Sequence, residues 1–191
     1  MRITAGRFGG RALISPDARR TRPTSDKVRQ AIFNVLHHRD FGDEAIGEDA
    51  RVLDLFAGTG ALGLEAISRG AHYALFVEED AESRAVIRSN VEALGLTGAT
   101  KVWRRDATNL GPMPAGAGGP FDLAFLDPPY RKGLVVPTLT ALRRGGWLKK
   151  EAILVVETER DFDACFPADF ILLDDRLYGE TRVFFVRSSE P

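Results

Sequence analysis

An acid, two prolines and a tyrosine stand in a row at Asp127-Pro128-Pro129-Tyr130, directly after the apolar run "FDLAFL". Adjacent prolines lack N–H donors and hold φ near −65°, so a strand that reaches them must stop in a stiff corner. The corner sets a carboxylate beside a fixed carbonyl. Together they could accept both hydrogens of a planar exocyclic amine. Such an amine is a weak nucleophile because its lone pair is delocalised into the ring, and gripping both N–H groups favours the reactive pyramidal form. Tyr130 offers a face on which a flipped base can stack, worth about 1–3 kcal/mol. No strong general base is needed, because the proton leaves after the nitrogen has become cationic. Asp127, Pro128 (through its carbonyl) and Tyr130 are therefore the catalytic candidates, with Pro129 as a substrate contact. A plain stiff turn is the simpler alternative, and the surroundings must decide.

A second cluster reads "DLFAGTGALG". Gly58, Gly60 and Gly63 match the G-x-G-x-x-G spacing, and Glu78 ends the next apolar run. Taken literally this is a dinucleotide fingerprint, in which the acid takes ribose hydroxyls, so a nicotinamide dehydrogenase is one hypothesis. Asp54 speaks against it, since it would add negative charge where a pyrophosphate must sit. A cationic cofactor with ribose and adenine but no phosphate removes that objection. S-adenosylmethionine is such a molecule. Asp54 would then lie near the methionine ammonium, Ala57–Gly60 would allow close backbone approach, and Glu78 would accept from the ribose. Asp106, in "WRRDA" with Ala107 behind it, would accept from the adenine amine. Any one of these acids could be a mere helix cap. Three at successive strand ends favour the cationic cofactor.

These residues need a scaffold that brings strand ends together. Apolar runs at 51–56, 72–77, 100–104, 121–127 and 152–157 read as strands. Amphipathic stretches at 60–70 and 80–95, each closed by glycine, read as helices. A helix near 134–144 must accommodate Pro137. The segments "FILLDDRLYG" and "ETRVFFVR" suggest a closing antiparallel hairpin. Alternating strands and helices imply right-handed βαβ units and a mostly parallel sheet covered on both faces. Ligands then bind beyond the carboxyl ends of the strands, where strand order reverses. Ahead of this lies an extension. Residues 2–5 and 11–14 suggest a small hairpin, "SPDARRTRP" an extended basic loop, and Val28, Ala31, Ile32, Val35 and Leu36 the apolar stripe of a helix capped by Thr24 or Ser25.

The chain has 191 residues, 44% hydrophobic and 28% charged, which suits one globular domain with residues 1–24 as an appendage. The start has no signal-peptide core, and no apolar run approaches ~20 residues, so a cytoplasmic protein is expected. The lone Cys165 fits a reducing compartment and reads as a buried or half-buried filler. The three histidines are not at metal-ligand spacing, and no metal is proposed. Net charge is −1, yet residues 1–39 carry nine basic side chains against two acids, so +7 sits on this end and −8 on the rest. Six arginines fall within the first 22 residues. A basic end on an acidic body suits docking to a polyanion, and Arg7, Arg11, Arg19, Arg20 and Arg22 are the candidate nucleic-acid contacts.

The run "DLFAGTGALGLEAISRG" joined to "LDPPYRKG" resembles the class I amino-methyltransferases. With "MRITAGRFGGRAL" and "TRPTSDKVRQAIFNVL" added, nearly the whole chain is similar to the bacterial RsmD family, which methylates guanine N2 in 16S ribosomal RNA. The resemblance implies a Rossmann-like seven-stranded sheet with its last strand antiparallel. It implies S-adenosylmethionine held by Asp54, Gly58, Gly60, Glu78 and Asp106, and catalysis at Asp127–Tyr130. It further implies that the hairpin and basic loop meet 16S ribosomal RNA within an assembling small subunit, with the enzyme a monomer. The DPPY motif is shared with DNA adenine and cytosine amino-methyltransferases, which stand as the alternative. A chain of this length leaves little room for their separate target-recognition region.

Overall fold

A computed structural model describes residues 1–15, 25–38 and 46–189. In chain order the elements are α1 (Asp26–His38), β1 (Arg51–Leu55), α2 (Ala61–Ser68), β2 (Tyr73–Val77), α3 (Ala81–Ala93) and β3 (Thr100–Trp103). They continue as β4 (Phe121–Leu126), α4 (Val135–Arg144), β5 (Leu148–Glu159), β6 (Phe170–Tyr178) and β7 (Thr181–Ser188). The strands make one sheet in the order β3-β2-β1-β4-β5-β7-β6. β1 to β5 are parallel, and β7 runs antiparallel between β5 and β6. The seven-stranded class I methyltransferase architecture expected from the sequence is thus present. Strand order reverses between β1 and β4, so the ligand crevice belongs at their carboxyl ends.

The strands are apolar on both faces because both faces are covered. Val52, Phe76, Phe125, Val155 and Phe185 pack beneath α1, α2 and α3, while Leu53, Val77, Leu126, Val156 and Phe184 pack beneath α4 with Trp147. α2 is buried along all eight residues. Its outer side is covered by the N-terminal segment and α1, which explains why its sequence is apolar all round.

Several expectations are refined. The N-terminal hairpin forms only one antiparallel bridge, Arg2 to Ala12, flanked by Ile3 N–H to Arg11 (2.9 Å) and Leu13 N–H to Met1 (3.1 Å). Residues 16–24, with Arg19, Arg20, Arg22 and Thr24, lie outside the described residues. Ser25 is the α1 cap, its hydroxyl accepting from Val28 N–H at 3.2 Å. Pro137 is the third residue of α4, where a missing N–H leaves no helical hydrogen bond unmade. β5 starts at Leu148 rather than 152. A bulge with Glu151 at φ 60° lets the polar "KKE" pass before pairing with β4 resumes at Ile153. Cys165 is exposed, not a filler, because Phe162 and Phe166 on either side take up the inward contacts with Phe184. Among the described residues no helix is long and apolar enough to cross a membrane.

Candidate active site

Sheet register builds the site. Leu55 is level with Val77 on one side and Leu126 on the other, and Val77 with Trp103. The next residue of each strand, Phe56, Glu78, Asp127 and Arg104, therefore emerges at one level along the carboxyl edge. The glycine loop and the proline corner meet there, at the switch point.

The loop after β1 turns sharply. Phe56 and Gly58 have φ of 56° and 54°, and Gly60 caps α2 at φ 76°, with its N–H on the Ala57 carbonyl at 2.7 Å. Gly63 is required for space rather than for turning. A β-carbon there would lie 2.5 Å from the Phe76 ring. The loop is tied down by acids. Glu78 accepts from Gly58 N–H at 2.8 Å through one oxygen and from Asp80 N–H at 2.9 Å through the other. Asp54, 2% exposed, accepts from Gly63 N–H at 2.9 Å, which satisfies one of the open donors of α2's first turn. Burial pushes the Asp54 carboxyl well above the ordinary carboxylate range. The Gly63 N–H pulls it back, and the negative charges of Asp127 and Glu78 raise it further.

This electrostatic state gives a first prediction. The folded protein keeps a proton on Asp54 over a pH range in which the unfolded chain has already lost it. Its contribution to stability is full at low pH and is lost as pH rises through the raised pKa. Asp54→Asn keeps an oxygen for Gly63 N–H but carries no charge. Melting temperatures of the free protein from about pH 5 to about pH 9 should fall more steeply for wild type than for Asp54→Asn. Parallel profiles would show that Asp54 carries no such burden.

The other sequence candidates are placed as follows. Asp106 is exposed and accepts from Thr108 N–H (2.8 Å) and the Thr108 hydroxyl (2.6 Å) through one oxygen, while Ala107 behind it is buried. At the proline corner, Asp127 N–H reaches the Leu55 carbonyl at 3.5 Å, Pro128 is buried and Pro129 exposed. The Tyr130 hydroxyl meets the Thr181 hydroxyl at 3.0 Å, and Arg131 N–H donates to Glu159 at 3.3 Å. Arg7 and Arg11 are exposed, but Arg7 is not at the crevice. Its N–H bonds Ser68 O at 2.7 Å, at the far end of α2, about 12 Å along the helix from the glycine loop. Its guanidinium lies 4.5 Å from the Phe8 ring centroid.

Three comparisons place the chain among known proteins. The family model described as conserved hypothetical protein 95 matches residues 1–187. The ribosomal RNA small subunit methyltransferase D of Escherichia coli is 37% identical over 183 residues, 94% of this chain and 86% of that protein. The chain belongs to the RsmD family. The protein of the same name from Haemophilus influenzae is 32% identical over 94% of this chain and 89% of its own length. Among solved structures, yhhF from Escherichia coli superposes with a TM-score of 0.82 at 32% identity, covering 99% of this chain and 98% of that one.

This RsmD-family chain also holds residues that sequence reasoning missed. Glu65 is wholly buried and accepts from Thr4 N–H (2.7 Å), the Thr4 hydroxyl (2.7 Å), Ala5 N–H (3.0 Å), Arg29 (3.4 Å) and Arg69 (2.7 Å). It fastens hairpin and α1 to α2. Its only sequence signal is a lone acid inside an apolar helix. Asn90, on the apolar stripe between Ile87 and Val91, is another, and Thr181 carried no signal at all.

Proposed function

We propose that this protein transfers a methyl group from S-adenosylmethionine to the exocyclic N2 amine of a guanine in 16S ribosomal RNA. The observation that carries the reading is the seating of Asp127-Pro128-Pro129-Tyr130 at the switch point, level with Glu78 and beside the glycine loop. The relatives' names supply the RNA, and no observation favours DNA.

The donor set suits a cation. Asp54, Glu78 and Asp127 lie close together, and the charges that raise Asp54's pKa are both acidic. A pyrophosphate would worsen that repulsion, whereas a sulfonium with an ammonium would relieve it. Ala57, Gly58 and Gly60 offer backbone for close approach. Glu78 is held rigid by two N–H groups with lone pairs remaining for ribose hydroxyls, and Asp106 and Ala107 stand at the adenine end. When bound, the cofactor supplies an electrophilic methyl group. The chain's own residues present the amine to it. Asp127 and the Pro128 carbonyl accept hydrogen bonds from its two N–H groups and hold the nitrogen in line, and Tyr130, steadied by Thr181, stacks the flipped guanine. Positioning of this kind needs no deep general base.

The test is incubation of purified protein with labelled cofactor and ribosomal RNA, as naked RNA and as small-subunit particles, from cells lacking the activity. N2-methylguanosine should carry the label. Label in N6-methyladenine of DNA, or calorimetry in which NAD binds more tightly than S-adenosylmethionine, would reject the reading.

The basic segment is assigned to RNA docking on its charge. Neutralising Arg19, Arg20 and Arg22 together should lower RNA affinity and flatten the slope of log K against log salt by about 0.7–0.9 per lost phosphate contact. Cofactor affinity should stay at its wild-type value. A filter-binding salt series with an unchanged slope would remove this segment from the interface.

A further inference from the structure

The N-terminal hairpin lies along α2 with its two ends at different places. Its turn is bonded to Ser68, at the end of α2 away from the crevice. Its open end, Met1 and Ile14, reaches the glycine loop. There Asn90, 1% exposed in the third turn of α3, makes three hydrogen bonds. Its amide nitrogen donates to the carbonyls of Ile14 and Thr59, each at 3.1 Å, and its oxygen accepts from Ile14 N–H at 2.8 Å. The Thr59 hydroxyl adds a 3.4 Å contact to the Met1 sulfur. Thr59 lies between Gly58, whose N–H holds Glu78, and Gly60, which caps α2. Ile14 directly precedes the basic segment "SPDARRTRP", which begins at Ser15. A single side chain thus joins the root of that segment to the middle of the cofactor loop.

We infer that Asn90 is a positioning residue that couples RNA docking to cofactor binding. The inference rests on the proposed cofactor and RNA readings and adds the link between them. A cofactor seated on Ala57–Gly60 fixes the Thr59 carbonyl, and so fixes Asn90 and the backbone of Ile14. RNA bound to the basic segment fixes Ile14 from the other side. Each ligand orders part of what the other must order, so each tightens the other. By linkage the factor is the same in both directions. The side chain must both donate twice and accept once, which an aliphatic or hydroxyl side chain cannot do.

The test uses the full chain, S-adenosylhomocysteine as an unreactive cofactor probe, and 16S ribosomal RNA transcribed in vitro. Affinity for each is measured with and without the other. Wild type should show the same gain both ways, of about fivefold or more. Asn90→Ala should bind each ligand alone, with the gain reduced towards one. A wild-type gain of one, or a full gain retained in Asn90→Ala, would overturn the inference. Should Asn90→Ala melt below the assay temperature, hydrogen exchange on wild type decides. S-adenosylhomocysteine without RNA should slow exchange of the Ile14 amide several-fold, and unchanged exchange there would overturn the link. Failure of the RNA reading looks different. Neutralising Arg19, Arg20 and Arg22 would then leave RNA affinity intact, while Ile14 would still respond to the cofactor probe.

Discussion

Replacing Asp127 with alanine should lower kcat by about 10²–10³-fold, the scale for removing one preorganised hydrogen-bonding group that acts on the transition state. In the proposed role, the carboxylate's bond to the amine strengthens only as the nitrogen becomes pyramidal and cationic, so the loss belongs in turnover rather than in ground-state binding. Its charge also helps raise the Asp54 pKa. Removing Asp127 lets Asp54 ionise more readily, which restores part of the negative potential facing the cofactor. Cofactor affinity should therefore remain near wild type. Asp127→Asn keeps an accepting oxygen and should retain more activity than Asp127→Ala. Single-turnover rates with saturating cofactor, alongside calorimetry, separate the two quantities. A variant that loses cofactor binding yet turns over normally once loaded would move Asp127 out of the clamp.

Glu65→Ala should destabilise the fold by about 3–5 kcal/mol, the range for removing one partner of a buried charged pair. Arg29 is itself wholly buried, and beyond Glu65 it has Asp26 at 2.8 Å and the Arg2 carbonyl. Without Glu65 its charge loses its buried counterion, and Thr4 and Ala5 lose the acceptor that fixes the hairpin. Glu65→Gln should cost less, because the amide oxygen still serves the hairpin N–H groups. Urea unfolding measures both variants. A midpoint and slope for Glu65→Ala equal to wild type would show that the hub contributes nothing to stability.

The strands and helices were legible because their signals are local. Continuous apolar runs marked strands covered on both faces, and helical periodicity marked α1 and α3. The strand-end acids were legible because a parallel sheet collects them on one edge, as the register of Leu55 with Val77 and Leu126 does. What escaped the sequence lies in long-range pairing. Glu65 looks like one solvated position of a helix until Thr4 and Ala5, sixty residues earlier, come to cover it. Asn90 reads as a polar interruption of an apolar stripe, since nothing local says that Ile14 and Thr59 will meet there. The bond from Gly63 N–H to Asp54 was not legible either, because it depends on how tightly α2 closes on β1. The small hairpin is present, and alternation over four residues cannot say that it holds a single bridge rather than a ladder.

The position of β7 has a consequence for the newly made chain. This strand is seventh in sequence but interior in the sheet, with Val183 to Val186 wholly buried between β5 and β6. It also brings Thr181 to Tyr130. The glycine loop, the acids and the proline corner all leave the ribosome earlier. At about 5–20 residues per second, the interval between translation of Tyr130 and of Thr181 is on the order of several seconds. Within that interval, from the completion of β5 at Glu159 until β7 follows, β5 presents an unpaired edge, open to other nascent strands. The tyrosine meanwhile lacks the hydroxyl that steadies it. On the proposed reading, competence to stack a base is thus acquired late in translation, and factors that shield exposed strands would act on this protein in that window.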